Sequence, residues 1–141
     1  MAQLQLFNPS LTPEWCAYLA GILDGEGWIG LHATRGAIRP RAKVEMRDEC
    51  IIAELHRVYG GGFYSYDPRP RCSRTFTWVV NGWKAYAPLS DALPYLRGKR
   101  KQAELALTLM WDARHGGLLI DEKQRRMDAL EEMRGLNRRG I

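Results

Sequence analysis

The sequence contains little cysteine and no long apolar run, and these absences exclude several classes of protein. Its three cysteines are an odd number without close pairing or zinc-ligand spacing, so we expect neither a disulfide scaffold nor a zinc site. No stretch approaches the roughly 18–20 apolar residues of a membrane span, and no secretory segment precedes the first cysteine. We therefore expect an intracellular protein, in the cytoplasm, a nucleoid or an organelle, with no membrane partner.

Positive charge is also missing from the beginning of the chain. Residues 1–34 contain no Lys or Arg, although the whole chain of 141 residues carries a formal net charge of +5. The basic residues concentrate instead within residues 35–47, 69–74 and 97–101. A clustered basic surplus favours an anionic partner. The apolar fraction of 45% and charged fraction of 26% are those of one globular domain rather than a disordered chain.

A helix with an unusually small face is predicted over residues 14–23. Ala17, Ala20 and Gly21 lie three and four positions apart, so one face is nearly bare backbone and something must come close to it. We expect the helix to end at residues 24–27, where two acidic residues alternate with two glycines. Acids at the negative end of a helix dipole are disfavoured by about 0.3–1 kcal/mol each unless a cation or hydrogen-bond donors compensate.

The rest of the chain predicts two β-hairpins and four further helices. Strands are expected at residues 28–35, 39–46, 63–67 and 74–80, and helices at 49–59, 83–96, 101–114 and 122–136. The second of these helices is interrupted near Pro88. This order predicts an α+β fold in which the four strands form one antiparallel sheet, apolar on the helix side and basic on the other.

The strand at residues 39–46 has the cleanest alternation in the sequence. Arg39, Arg41 and Lys43 point to one side, together with Glu45, while the intervening apolar residues point to the other. Cations on one strand face repel each other, and an anionic ligand would relieve that repulsion. The pattern therefore favours binding of an anionic ligand on this face over an ordinary solvated surface.

The run Leu19-Ala20-Gly21-Ile22-Leu23-Asp24-Gly25-Glu26-Gly27 resembles the motif of the LAGLIDADG homing endonucleases, with five of its positions matching and four mildly substituted. The predicted αββαββα order over residues 12–110 is similar to the core fold of that family. Residues 1–141 would then form one such domain, with variable C-terminal helices over residues 111–141. The resemblance implies a site-specific double-strand DNA endonuclease associated with intron or intein mobility.

The resemblance also implies a metal site and a homodimer. In that family the acid before the final glycine binds catalytic divalent metal, and here that acid is Glu26, preceded by Gly25. Mg²⁺ is the expected ion, and Mn²⁺ or Ca²⁺ can substitute in binding. Because the chain has one motif and family members pack two motif helices together, a second chain must supply the other copy. The implied interface residues are Ala17, Ala20, Gly21 and Asp24.

Three further residues are implied to take part in catalysis. Lys99 matches a basic residue that lies near the scissile phosphate, although phosphate contact by the whole basic cluster is an alternative. Asp24 would cap turn amides, lie behind the metal ligands or bind the metal directly. Met46 occupies a position where well-known members place a solvent-ordering Gln. A thioether cannot do that in the same way, so Arg47 is a candidate for the missing polar group.

The outward strand faces are predicted to bind double-stranded DNA. A strand rises about 3.3 Å per residue and DNA about 3.4 Å per base pair, so two subunits would read roughly 16–20 base pairs of a pseudo-palindrome. Arg69 and Arg71, in the second hairpin turn, are expected to contact the phosphate backbone. For the second hairpin the sequence leaves open which residues face outward, because a shift of one residue exchanges the two faces of a strand. The other candidate contacts are His32, Thr34, Arg35, Arg39, Arg41, Lys43, Glu45, Ser65, Asp67, Arg74, Thr75 and Thr77.

Two rival functions belong to other classes. One is a DNA- or RNA-binding relative that keeps the fold without cleavage, such as a maturase or a transcription regulator. Glu26 and Lys99 weigh against it, and Met46 weighs for it. The other is a metabolic enzyme with a basic substrate groove, for which the sequence offers no nucleophile or cofactor motif.

Overall fold

The computed structural model describes residues 12–34, 37–66, 74–114 and 119–139. Helix α1 spans Pro13–Glu26, strands β1 and β2 span Gly27–Thr34 and Ala37–Met46, and helix α2 spans Glu49–Tyr59. Strands β3 and β4 span Gly62–Tyr66 and Thr75–Asn81, and are followed by a 3₁₀ turn at Gly82–Ala85. Helix α3 spans Tyr86–Ala92, a second 3₁₀ turn spans Leu93–Tyr95, and helices α4 and α5 span Arg100–Arg114 and Leu119–Arg139. The predicted α+β order is confirmed.

The four strands form one antiparallel sheet in the order β1-β2-β4-β3. Its inner face, covered by the helices, carries the buried side chains of Ile29, Ala42, Val44, Trp78 and Val80. Along β2, Ala42 and Val44 alternate with charged residues, because successive side chains of a strand point to opposite faces. The sheet therefore leaves one face free of the core, and β2 lies in its middle.

Helix α1 continues three residues beyond the helical pattern of residues 14–23 and ends at Glu26, within the expected range of residues 24–27. The backbone N–H of Gly27 still donates to the carbonyl of Leu23. A Cβ at position 27 would lie 2.7 Å from the Cα of Leu23, so glycine is needed where the chain turns directly into β1. This turn places Glu26 at the junction between the helix and the sheet.

The helical pattern at residues 83–96 is divided by the two 3₁₀ turns that flank α3. Pro88 is buried in the first turn of α3, where its missing N–H would have no partner within the helix. Leu96 ends the segment in an extended conformation, with φ −67° and ψ 141°. The chain then passes through residues 97–99 before α4 begins.

A polar chain fixes the beginning of α1 to two other helices. The indole N–H of Trp15 donates to the hydroxyl of Tyr59 at 2.8 Å, and this hydroxyl donates to the Asp91 carboxylate at 2.7 Å. Burial, reinforced by the bond to Asp91, raises the pKa of the Tyr59 hydroxyl far above its usual range. Burial also raises the pKa of the Asp91 carboxyl, which the hydrogen bond from Tyr59 partly offsets.

The Asp91 pKa predicts a pH dependence of folding stability. A carboxyl whose pKa is higher in the folded than in the unfolded chain contributes stability below the unfolded-state value of 3.8, and loses it as pH rises through the folded-state value. Asp91→Asn has no carboxyl to ionise at this position. As the pH rises through the folded-state pKa of Asp91, the free energy of unfolding should therefore fall less in this variant than in the wild type. Urea denaturation at several pH values measures it, with the exposed Asp128→Asn as control. Identical profiles for wild type and Asp91→Asn would contradict the assignment.

Helix α5 packs back on the first hairpin. Asn137 donates its side-chain N–H to the carbonyl of Ile29 at 3.2 Å, and Arg126 donates to the carbonyl of Ile38 at 2.6 Å. Met133, 1% exposed, joins the core between these two contacts. Among the described residues, no helix combines the length and the apolar character that crossing a bilayer requires.

Candidate functional site

The end of α1 presents one carboxylate to solvent. Glu26 is the last residue of the helix, and both its side chain and Gly25 are exposed. Within the described ranges, no group of three or more His, Cys, Asp and Glu side chains is arranged to hold a metal. Mg²⁺ typically keeps several waters and takes only one or two protein carboxylates. As an exposed carboxylate, Glu26 therefore fits as one of the protein ligands of such an ion.

Asp24, two residues before the helix end, binds the turn that precedes α4. One carboxylate oxygen accepts the backbone N–H of Arg97 at 2.9 Å, and the other accepts the backbone N–H of Lys99 at 2.9 Å. Gly98 lies between the two donors, and a Cβ there would sit 3.5 Å from the carboxylate. Both oxygens of Asp24 are therefore engaged within the chain, which agrees with the amide-capping alternative for this residue.

Lys99 returns to the same helix end through its side chain. Its Nζ donates to the backbone carbonyl of Asp24 at 2.7 Å, and the residue is half-buried. This carbonyl is one of the last four of α1, which have no partner within the helix. The ammonium thus supplies the cation that offsets the acidic residues at the negative end of the dipole. The fold brings Asp24, Glu26 and Lys99 together at one end of α1.

An exposed face of α1 consists of very small residues. Ala17, Gly21 and Gly25 follow one another at intervals of four and are all exposed. A Cβ built at Gly21 or Gly25 would meet nothing within 4 Å, so the described part of the chain does not cover the face. Ala20 does not belong to it: only 1% of its surface is exposed, because it lies in the core cluster beside Leu19 and Leu23. The assignment of Ala20 to an open interface is therefore wrong.

The outward face of the sheet is basic along β2, as its alternation predicts. Arg39 and Lys43 are exposed and Arg41 is half-buried, whereas the residues between them are buried. Cross-strand contacts orient part of this row: Arg41 Nε donates to the Asn81 side chain at 2.6 Å. The Thr77 hydroxyl donates to the Glu45 carboxylate at 3.1 Å. Pairs of this kind hold side chains in one orientation on the open face.

Trp28 adds an aromatic ring to the same face. It is the cross-strand partner of Lys43, whose Nζ lies 5.8 Å from the ring centroid, within the range of a cation–π contact. The ring lies across the backbone of Gly30, where any Cβ would overlap it. Glycine at position 30 thus allows Trp28 to lie flat along β1, beside the cations of β2.

Strand β3 has the opposite phase from the one that the assignment of Ser65 requires, whereas Thr75 and Thr77 of β4 face outward as predicted. Ser65 pairs with Phe76, whose side chain packs against the core, so Ser65 lies on the helix side and its assignment to the outward face is wrong. Tyr64 and Tyr66 instead pair with the predicted candidates Thr77 and Thr75, and are 61% and 63% exposed. Three aromatic residues in four positions, 63–66, hide the alternation from which the phase is read.

The remaining candidates are spread around the sheet. Arg47 is exposed just after β2, whereas Met46 packs against the core. Arg47 is therefore a solvent-exposed polar side chain directly after Met46. His32 is half-buried on β1 opposite Arg39, Thr34 ends β1, and Arg74 is exposed just before β4. Four candidates lie outside the described residues: Arg35, Asp67, Arg69 and Arg71.

Aromatic and amide residues on the outward face were not among the sequence candidates. They are Trp28, Tyr64, Tyr66 and Asn81. Trp28 shares the alternation of His32 and Thr34, so the β1 pattern already pointed to it. For the tyrosines, only the pairing between β3 and β4 settles the face. The outward face therefore carries aromatic side chains in addition to the polar and charged residues that the sequence predicted there.

Comparison with known proteins gives matches by structure and none by sequence. No protein-family model and no curated protein sequence matches the chain. The homing endonuclease I-CvuI, solved with its DNA target and calcium, superposes with a TM-score of 0.68 at 20% identity, covering 88% of this chain and 82% of that one. The archaeal intron-encoded homing endonuclease I-Vdi141I, complexed with DNA, gives 0.69 at 16% identity, covering 86% and 82%.

A third match extends over almost the whole of both chains. The homing endonuclease I-TnaI superposes with a TM-score of 0.57 at 14% identity, covering 93% of this chain and 99% of that one. The structural likeness therefore extends over most of the chain. The chain has the fold of the LAGLIDADG homing endonucleases.

Proposed function

We propose that this protein is a site-specific endonuclease that cleaves double-stranded DNA as a homodimer, with a divalent metal, at a long pseudo-palindromic site. The observation that carries the proposal is the convergence of Glu26, Asp24 and Lys99 at one end of α1, next to a basic sheet face. Structures of the same fold, I-CvuI and I-Vdi141I, have been solved with DNA. The setting would be intracellular, in the mobility of an intron or intein.

The homodimer is proposed because one chain supplies only half of a metal site. Among the described residues, Glu26 is the exposed carboxylate at the end of α1, and the face of Ala17, Gly21 and Gly25 on the same helix is left open. Packing two such faces about a two-fold axis brings both helix ends together, because small residues let backbones approach closely. Each chain then contributes one Glu26 to a shared acidic pair.

The residues at the helix end divide the work of phosphodiester hydrolysis. Glu26, with the adjacent Gly25 backbone, would hold Mg²⁺, for which Mn²⁺ or Ca²⁺ can substitute in binding. Such an ion supplies Lewis-acid charge stabilisation and lowers the pKa of bound water. Lys99 stabilises negative charge on the scissile phosphate from its fixed place beside the helix end. Arg47, exposed at the junction after β2, supplies a second cation on the DNA side.

The outward sheet face would read the DNA sequence in the major groove. Arg39, Arg41 and Lys43 are suited to guanine edges or phosphates, and Glu45 can accept from a cytosine amino group. Tyr64 and Tyr66 offer apolar contact to thymine methyl groups from the edge strand. An eight-residue strand covers about eight base pairs, so two subunits would cover roughly 16–20 base pairs.

Cleavage selection tests the proposal directly. Purified protein is incubated with a library of randomised duplexes and Mg²⁺, and the cut ends are sequenced. We expect a small family of related, near-palindromic sequences cut on both strands at one position, and no cutting when Mg²⁺ is chelated. Duplexes that are captured by the protein but never cut would contradict the proposal and favour a non-cleaving DNA-binding protein.

A further inference from the structure

We propose that Asp24 is a positioning residue, whose carboxylate fixes the turn at residues 97–99 and thereby places the Lys99 ammonium for catalysis. The inference rests on the proposed nuclease function and adds a role that the presence of Glu26 and Lys99 does not imply. It is carried by three hydrogen bonds between Asp24 and this turn, all at most 2.9 Å long.

The three bonds form a closed arrangement. The two carboxylate oxygens accept the backbone N–H groups of Arg97 and Lys99, so they fix the turn on both sides of Gly98. The Lys99 side chain then folds back and donates to the backbone carbonyl of Asp24. Backbone and side chain of Lys99 are therefore both tied to one residue, although 75 positions separate the two in sequence.

This arrangement matters because a lysine side chain is otherwise mobile. Ordering a lysine side chain costs conformational entropy, which must be offset before the ammonium acts from one place. Hydrogen bonds to a charged acceptor are stronger than neutral ones, so a carboxylate at position 24 holds two amides better than an amide side chain does. Errors in placement of about 1 Å cost on the order of 100-fold in rate.

Asp24→Asn tests the inference because it keeps the size of the side chain but leaves only one oxygen to accept a bond. In single-turnover cleavage of the selected target with Mg²⁺, we expect the rate to fall roughly 10- to 100-fold. Affinity for the same duplex in Ca²⁺ should change by less than about threefold, since positioning acts on the chemical step. Asp128→Asn, an exposed carboxylate on α5, is the matched control.

A double-mutant cycle separates positioning from a general structural role. If Asp24 acts through Lys99, Asp24→Asn should cost nothing further in a Lys99→Met background. A loss of the same size in both backgrounds would overturn the inference, as would an Asp24→Asn protein that cuts at the wild-type rate. A wild-type protein that cuts no DNA at all would instead refute the proposed function, and the inference with it.

A second pair of variants covers the case in which Asp24→Asn does not fold. Arg97→Pro removes one of the two donors to Asp24 and keeps the carboxylate, and the extended Leu96 suits a following proline. Arg97→Ala removes the same side chain but keeps the donor. With Lys99 present, we expect Arg97→Pro to cut DNA roughly 10-fold more slowly than Arg97→Ala. In the Lys99→Met background, we expect the two variants to cut at the same rate. Equal rates with Lys99 present would overturn the inference.

Discussion

Replacing Glu26 with glutamine is expected to abolish DNA cleavage and to leave DNA binding nearly intact. The glutamine keeps the size of the side chain but loses the charge that holds a divalent cation. The ion supplies several kcal/mol of transition-state stabilisation, so the cleavage rate should fall by at least about 10³-fold. Glu26 is exposed at the end of α1, and the substitution should therefore not disturb the core.

Glu54→Gln is the matched control for this variant. Glu54 lies on α2 in an ion pair with Arg57 at 3.6 Å, and the side chains of Glu54 and Arg57 are 41% and 63% exposed. Exposed pairs of this kind contribute about 0–1 kcal/mol, so this variant should cut like the wild type. Single-turnover cleavage with Mg²⁺ and equilibrium binding with Ca²⁺ measure the two effects separately. If Glu26→Gln still cut at the wild-type rate with Mg²⁺, the assignment of the metal carboxylate would fail.

Replacing Gly21 with leucine is expected to separate the two chains while leaving each one folded. A Cβ at this position meets nothing within 4 Å among the described residues, and glycine in a helix interior costs about 1 kcal/mol relative to alanine. The isolated chain should therefore be slightly more stable. Two leucines at the two-fold interface would overpack it by about 1–3 kcal/mol each, raising the dimer dissociation constant roughly 30-fold or more. Sedimentation and cleavage assays measure the loss.

Gly135→Leu provides the comparison. Gly135 is also a helical glycine, on α5, and a Cβ there meets nothing within 4 Å. The same gain in helix propensity is expected, with no change in association or cleavage. A Gly21→Leu protein that sedimented as the wild type does and cut DNA equally fast would show that this face of α1 does not form the interface.

Local patterns were sufficient for the parts of the fold that depend on one helix or one strand. The alternation of Arg39, Arg41 and Lys43 with apolar residues gave the outward face of β2 correctly, because burial on one side of a sheet repeats every second residue. Asp48 likewise caps α2 through bonds to the N–H groups of Cys50 and Ile51, as its position before an amphipathic run predicts.

Features of the fold that depend on contacts between residues far apart in sequence were predicted less accurately. The end of α1 depends on how Gly27 packs against Leu23 and on the ammonium of Lys99, which arrives from another part of the chain. The phase of β3 depends on its pairing with β4, since aromatic residues occupy both of its faces. Ala20 was misplaced because a small residue fits an open interface and a close contact within the chain equally well.

The candidate site combined both kinds of information. Glu26 and Lys99 came from the resemblance, and no local rule connects positions so far apart. The amide-capping alternative for Asp24 came from helix-terminus chemistry, and the geometry supplied its partners, Arg97 and Lys99. The polar chain from Trp15 through Tyr59 to Asp91 had no sequence signal, because each of its members belongs to a different helix.

The number of chains bound to one target duplex tests the central claim most directly. Light scattering of the complex formed in Ca²⁺, where DNA is bound, gives the protein mass on each duplex. Two chains of 16.1 kDa per duplex are predicted, because one chain offers a single Glu26 and an uncovered face on α1. A complex that contained one chain and was cut on both strands after Mg²⁺ was added would contradict the account.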